Sequence, residues 1–137
     1  MAFWLIKSEP SGYSWSQMVQ DHQAPWDGVR NYQAANNMKA MKCGDYACFY
    51  HSNQGREIVG IVIVVKEYYP DLSDSSGRFG MVDVQAVKPM GIPISLKAIK
   101  ANPALADLPL VRQSRLSVMP IRAHEWRILL QMGNTVV

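Results

Sequence analysis

The sequence predicts an α+β fold: a small, curved, barrel-like mixed sheet of five or six short strands with short helices packed around it. Three observations carry this. Strand-like runs recur along the chain, and Ile58–Val65 is β-branched and apolar on both faces, as a central strand covered from both sides must be. The helical stretches are short and do not alternate regularly with strands, which argues against a parallel doubly wound sheet. With 137 residues, 48% apolar and 18% charged, the chain makes one domain, 1–137, able to bury a core without metal or disulfide support.

Phe3 to Lys7 predicts the first strand, closed by the turn Glu9-Pro10-Ser11-Gly12. Ser14 with Gln17 three residues on is a capping-box signature opening a short helix to about His22. Pro25 and Gly28 forbid a continuous helix through Trp26-Asp27-Gly28-Val29-Arg30-Asn31-Tyr32-Gln33, so this run begins as a turn. It becomes helical from about Val29 to Met41, on the spacing of Ala34, Met38 and Met41. Asp45–His51 and Ile58–Val65 form a hairpin around Ser52-Asn53-Gln54-Gly55, and Gly60 inside the second strand signals a bulge, a bend or a close approach. Residues 70–80 form a surface loop, and Met81–Val87 a half-buried strand with Val82, Val84 and Ala86 inward. Lys88 to Pro93 turns the chain, and Ser95 caps a short helix ended by Asn102-Pro103. Leu110–Gln113 and Leu116–Val118 are two extended pieces, and a last helix follows Pro120 and stops at Gly133.

Composition excludes several classes. The longest apolar run is too short to span a bilayer, and the N-terminus lacks the basic start and long apolar region of a signal peptide, so an intracellular location is expected. Cys43 and Cys48 have no partner pair, and His22, His51 and His124 show no ligand spacing, so neither metal nor cofactor is expected. A net charge of +3 is compatible with a polyanionic partner, more so given Arg112, Arg115, Arg122 and Arg127 late in the chain.

Four constellations carry chemistry. The Trp26–Gln33 run combines rings, a carboxylate, a guanidinium and amides near a helix start, which is what holding a flat heterocycle requires. The plainer reading makes Trp26 a core plug and Arg30 with Asp27 a surface pair, and the residues alone leave both open. Lys7-Ser8-Glu9 gathers an amine, a hydroxyl and a carboxylate at a strand end, either as polar termination or as general-base machinery. His51 and Ser52 lack a nucleophile elbow and suit hydrogen bonding to a ligand edge, or to the turn that follows. Arg112-Gln113-Ser114-Arg115-Leu116-Ser117 can clamp phosphates; a solvated loop is the default for any basic run, but the apolar flanks argue that this one is pinned to the body.

Trp4-Leu5-Ile6-Lys7-Ser8-Glu9-Pro10 followed by Trp26-Asp27-Gly28-Val29-Arg30-Asn31-Tyr32-Gln33-Ala34 resembles the EVE domain family. Phe49-Tyr50-His51-Ser52-Asn53, Ile58-Val59-Gly60-Ile61, Val82-Asp83-Val84, Leu110–Val118 and Glu125-Trp126 continue the likeness in order over nearly the whole chain. The resemblance implies a PUA-like barrel related to YTH and ASCH domains. It also implies a non-catalytic reader of a modified nucleobase, with modified cytosine such as 5-methylcytosine in DNA ahead of RNA. No cofactor, metal or membrane is implied, and protein partners are left unspecified. The location implied is cytoplasmic, or nuclear in a eukaryote.

By the same resemblance the pocket is built from Ser8, Glu9, Trp26, Val29, Asn31, Tyr32, His51, Ser52, Leu116 and Ser117. Trp26 stacks on the base, Tyr32 stacks or braces, and Asn31, Glu9 and Ser117 bond its edges. Arg30, Arg112 and Arg115 meet phosphates. Two positions depart from the family pattern: Ala35 replaces a frequent Arg, and Arg78-Phe79-Gly80-Met81 lacks a frequent Trp. Two other classes compete with the reader. One is a hydrolase of a modified nucleoside, as among ASCH relatives, using Lys7 and Glu9. The other is a small-metabolite or protein-interaction domain that inherits the pocket.

Overall fold

Asp45 is buried, yet its carboxylate is fully used: Oδ1 accepts from the Ala2 N–H at 3.2 Å, and Oδ2 accepts from the Trp4 indole N–H and the Lys42 N–H, both at 3.0 Å. These bonds tie the start of strand β3 (Tyr46–His51) to the start of β1 (Phe3–Ser8), and the two strands run parallel, Phe3 beside Tyr46 and Ser8 beside His51. The computed structural model describes every residue from Met1 to Val137. Six strands form one open sheet in the order β2-β5-β4-β3-β1-β6, with β2 at Gln23–Pro25, β4 at Glu57–Pro70, β5 at Gly80–Ser95 and β6 at Val118–Ile121. Every neighbouring pair except β1·β3 is antiparallel. Each edge strand is short and carries a proline, Pro25 in β2 and Pro120 in β6.

The helices sit where their caps predict. Ser14 accepts from the Gln17 N–H at the head of α1 (Trp15–Asp21), and Ser95 accepts from the Ala98 N–H at the head of α3 (Leu96–Ala101). Between them lies α2 (Tyr32–Lys39), which starts three residues later than the spacing suggested, because Asn31 is the N-cap and accepts from the Ala34 N–H at 2.9 Å. After α3 and a 3-10 turn at Pro103–Leu105 come α4 (Pro109–Arg112) and α5 (Ala123–Met132). One core joins all six strands to Met18, Met38, Ile99, Leu110 and Leu129 of the five helices. No helix is long and apolar enough to cross a membrane, and no group of His, Cys, Asp and Glu side chains is placed to hold a metal ion.

Three sequence expectations are corrected. Lys88–Pro93 does not turn: β5 runs through it, and its register on β4 jumps from Pro89↔Gly60 to Ile94↔Ile58. Proline is tolerated there because β2 pairs with only Asp83–Gln85, so beyond that point one side of β5 needs no donor. Leu110–Gln113 is not extended: Leu110 to Arg112 lie in α4, where Pro109 occupies the first turn with its φ already set, and Gln113 is that helix's C-cap. Pro120 lies within β6, and the last helix begins only at Ala123.

Gly60 meets its expectation of close approach. A Cβ there would lie 2.4 Å from the Trp15 ring, which in turn packs edge-on against Phe49 at 5.3 Å. The register of β3 on β4 also shifts beside it, between Phe49 and Tyr50, and such bulges bend the sheet. Gly60→Ala is expected to lower stability by about 1–3 kcal/mol through overpacking, seen as a lower urea midpoint at unchanged slope. Gly12→Ala, whose Cβ would meet its nearest neighbour at 3.6 Å, serves as the control. Equal midpoints for the two variants would mean that Trp15 is not seated on Gly60.

Candidate functional site

Because β1 and β3 are parallel, both deliver their last residues to the same end of the sheet, Lys7 beside Tyr50 and Ser8 beside His51. The connection between them passes over that end. It pairs β2 with β5, donates the Trp26 N–H to the Val82 carbonyl at 2.7 Å, and turns back at Gly28, whose φ of +79° suits glycine. An open cleft of about 700 Å³ results, within the range of small-molecule sites.

Trp26 is 8% exposed, so it belongs to the core while also lining the cleft. Its ring meets Phe49 edge-on at 5.5 Å and Tyr13 at 6.2 Å. Tyr13 in turn donates to Asp21 at 2.7 Å, and burial, reinforced by that bond, raises its pKa above the ordinary phenol range. Val29 and Ala24 add apolar wall. Opposite them, the polar groups are mostly committed. Glu9 accepts from the Asn53 amide at 2.7 Å, and Lys7 Nζ, whose pKa burial lowers, donates to the Ser114 carbonyl at 2.9 Å. The Ser117 carbonyl accepts from the Lys7 N–H at 2.9 Å. Asp27, exposed on the rim, joins none of the ion pairs.

The rim is held by Asp71, 3% exposed in the loop between β4 and β5. It accepts from the Gly28 N–H at 2.9 Å, from Arg30 at 3.0 Å, and from the N–H and hydroxyl of Ser73. Burial pushes this carboxyl upward, but the bonds from Ser73, Gly28 and Arg30 outweigh it and hold the pKa well below the usual carboxylate range. Arg30 therefore pairs with Asp71 and not with Asp27, and its guanidinium also lies over the Phe79 ring at 5.7 Å.

The structure brings Ser8, Glu9, Trp26, Val29, Arg30 and Ser117 together in the cleft. Asn31, Leu116, Arg112 and Arg115 line an adjoining depression of about 330 Å³. There Asn31 has spent its acceptor as the α2 cap, and Arg112 is paired with Asp107 at 3.1 Å. Tyr32, His51 and Ser52 do not line the cleft. Tyr32 is 61% exposed and tilts over Phe79 at 5.1 Å. His51 Nε2 accepts from the Trp15 N–H at 3.0 Å, and Ser52 lies on a separate depression beyond Lys7. Tyr13 and Asp21, which no sequence motif singles out, also line the cleft, beside Asp27 of the Trp26 run. The Glu9–Gly12 turn was the available signal for Tyr13, since a turn closing β1 must carry the next residues back across its end.

Two pH effects follow. The folded pKa of Asp71 is depressed, so its contribution is full above the ordinary value of 3.8 and drains away as pH falls below it. Asp71→Asn is expected to cost about 2–3 kcal/mol near neutrality, with the gap to the native chain narrowing in acid urea titrations. A gap independent of pH would overturn this. Burial also lowers the pKa of His51, against an opposing pull from Glu57, and its bond from Trp15 needs the neutral ring. Stability that His51 gives above about pH 6.5 is therefore lost as pH falls through its folded pKa. Melting curves of His51→Gln should lack that step.

The comparisons with known proteins extend over this whole framework. Rat thymocyte nuclear protein 1 is 37% identical over an alignment of 164 positions, gaps included, that covers 95% of this chain and 73% of its own length. A solution structure of a protein from Rhodopseudomonas palustris is 50% identical with a TM-score of 0.93, covering 98% of this chain and 94% of that one. Human THYN1, solved in complex with 5-methylcytosine-containing DNA, is 33% identical with a TM-score of 0.91, each chain covered completely. The family model for the EVE domain matches residues 2–132, and on that match the chain belongs to the EVE domain family.

Proposed function

We propose that this chain is a non-catalytic reader of modified cytosine in DNA, taking the base out of the stack and into the cleft beside Trp26. The observation that carries the reading is the make-up of that cleft: a largely buried indole that still lines the opening, an apolar wall at Val29 and Ala24, and an unpaired carboxylate at Asp27. Cytosine presents an N4 amino donor that Asp or Glu accepts, and a methyl on the ring calls for apolar contact. Trp26 offers stacking of about 1–3 kcal/mol, which balances the few kcal/mol needed to flip the base. Asp27 takes the amino group, Glu9 and Ser117 bond the remaining edge, and Val29 meets the methyl. Arg115, which joins no ion pair of the chain, is the arginine best placed to meet a phosphate. The DNA complex of human THYN1 supports the same ligand class.

Binding without turnover is favoured over hydrolysis because Lys7 and Glu9 are bonded away from one another, to Ser114 and Asn53. A reader of DNA belongs where DNA is kept, in the cytoplasm or, in a eukaryote, the nucleus.

The test is affinity for oligonucleotides carrying cytosine, 5-methylcytosine or 5-hydroxymethylcytosine at one site. Trp26→Ala also removes core volume, at about 3–5 kcal/mol of stability, so Trp26→Phe and Asp27→Asn are the informative variants. The native chain is expected to prefer a modified base, and Asp27→Asn to weaken binding about tenfold, the loss of roughly one charge-assisted bond. Equal affinity for all three bases would sink the reading. Release of an altered nucleoside, abolished by Glu9→Gln, would replace it with the hydrolase.

A further inference from the structure

We infer that a basic groove leading away from the cleft, from Lys7 past Arg56 to Lys97 and Lys100, is the track for the sugar-phosphate backbone on one side of the bound base. This rests on the reading of the cleft as a DNA site. The groove is continuous with it. Lys7 lines the cleft and also a neighbouring depression of about 300 Å³ that includes Ser52, Asn53, Arg56 and Lys100. Arg56 and Lys100 then line the next depression, of about 390 Å³, which adds Lys97 and Ser95.

Charge divides the surface sharply. The cleft is lined by Glu9, Asp21 and Asp27, groups that suit an amino donor and repel phosphate. Neither depression of the groove has an acidic residue in its lining, whereas together they carry four cations. None of the four joins an ion pair, whereas four of the ten other cations, Arg30, Lys42, Arg112 and Arg122, do. A strand whose base enters the cleft is therefore pushed off the acidic rim and met by four unneutralised cations along this path.

The backbone that carries three of the four cations is also well anchored. Lys97 and Lys100 stand three residues apart, on one face of α3. Ser95 caps that helix, Ile99 anchors it in the core, and the Leu96 N–H donates to the Arg56 carbonyl at 2.8 Å. The helix and the β3–β4 turn are therefore bonded directly to one another. Ser52 and Ser114 line the groove between the cations and supply neutral hydrogen-bonding groups for phosphate oxygens.

The test compares the native chain with the triple variant Arg56→Ala, Lys97→Ala, Lys100→Ala. A control triple, Lys39→Ala, Lys66→Ala, Arg127→Ala, loses the same charge elsewhere. Affinity is measured across salt for single strands with 5-methylcytosine at the 5′ end, the centre or the 3′ end, and for unmodified strands. The groove variant is expected to lower the slope of log affinity against log salt by about 2, from three lost phosphate contacts. It should also lower affinity at least tenfold at low salt while keeping the preference for the modified base. Its deficit should vanish for whichever end-placed base leaves no strand on the groove side. An unchanged slope, a deficit equal for both ends, or an equal effect of the control triple would overturn the track. Loss of base preference in the native chain would instead overturn the cleft reading, so the two failures are distinguishable.

Discussion

The parallel alignment of β1 with β3 is the constraint on which the rest of the molecule depends. Two parallel neighbours cannot be joined by a tight turn, so the chain must leave the end of β1 and travel back to the other end of the sheet before β3 can begin. That obligatory detour contains α1, β2, the Trp26 segment and α2. It closes only because Asp45 gathers donors from Ala2, Trp4 and Lys42 in a buried place where an unpaired carboxylate would be costly. The cleft is thus a by-product of topology: two strands finish at one end, and a long connection arches over them.

Within that frame the aromatic side chains serve core and surface at once. Trp15 fills the space that Gly60 leaves, Phe49 lies edge-on to both Trp15 and Trp26, and Tyr13 closes the row from outside. A wall whose inner face is packed at interior density cannot shift freely, so the outer face it shows to solvent is preorganised. Asp71 does the same for the rim by fixing the Gly28 amide and the Arg30 guanidinium from a different loop.

What was legible in the sequence was what is local. Ser14 and Ser95 announce their helices through one side-chain bond each, and Gly60 within a run of β-branched residues signals a bulge, a bend or a close approach, of which the Trp15 ring is the last. What was hidden depends on partners far along the chain. The strand β2 has no alternating pattern of its own and exists because β5 offers it an edge. The path of β5 through Pro89 and Pro93 reads as a turn until one knows that β2 has already ended. At the site, the Trp26 run was conspicuous for its composition. The partner of Arg30, however, lies in a loop that looks like ordinary surface, and Asn31, which looks like a ligand group, caps a helix. His51 likewise looks chemical but holds the head of α1.

The two prolines at the sheet margins have a consequence for assembly. An exposed edge strand offers a ladder of free N–H and C=O groups onto which another chain can add. Here both edge strands are only a few residues long and each is interrupted by a residue with no N–H, Pro25 on one side and Pro120 on the other, while Pro89 and Pro93 interrupt the part of β5 that runs on beyond β2. Pro25 is also part of the cleft lining. The edge that a foreign strand would recruit is thus blunted next to the opening that must stay accessible, so resistance to accretion and access for a ligand come from the same residue.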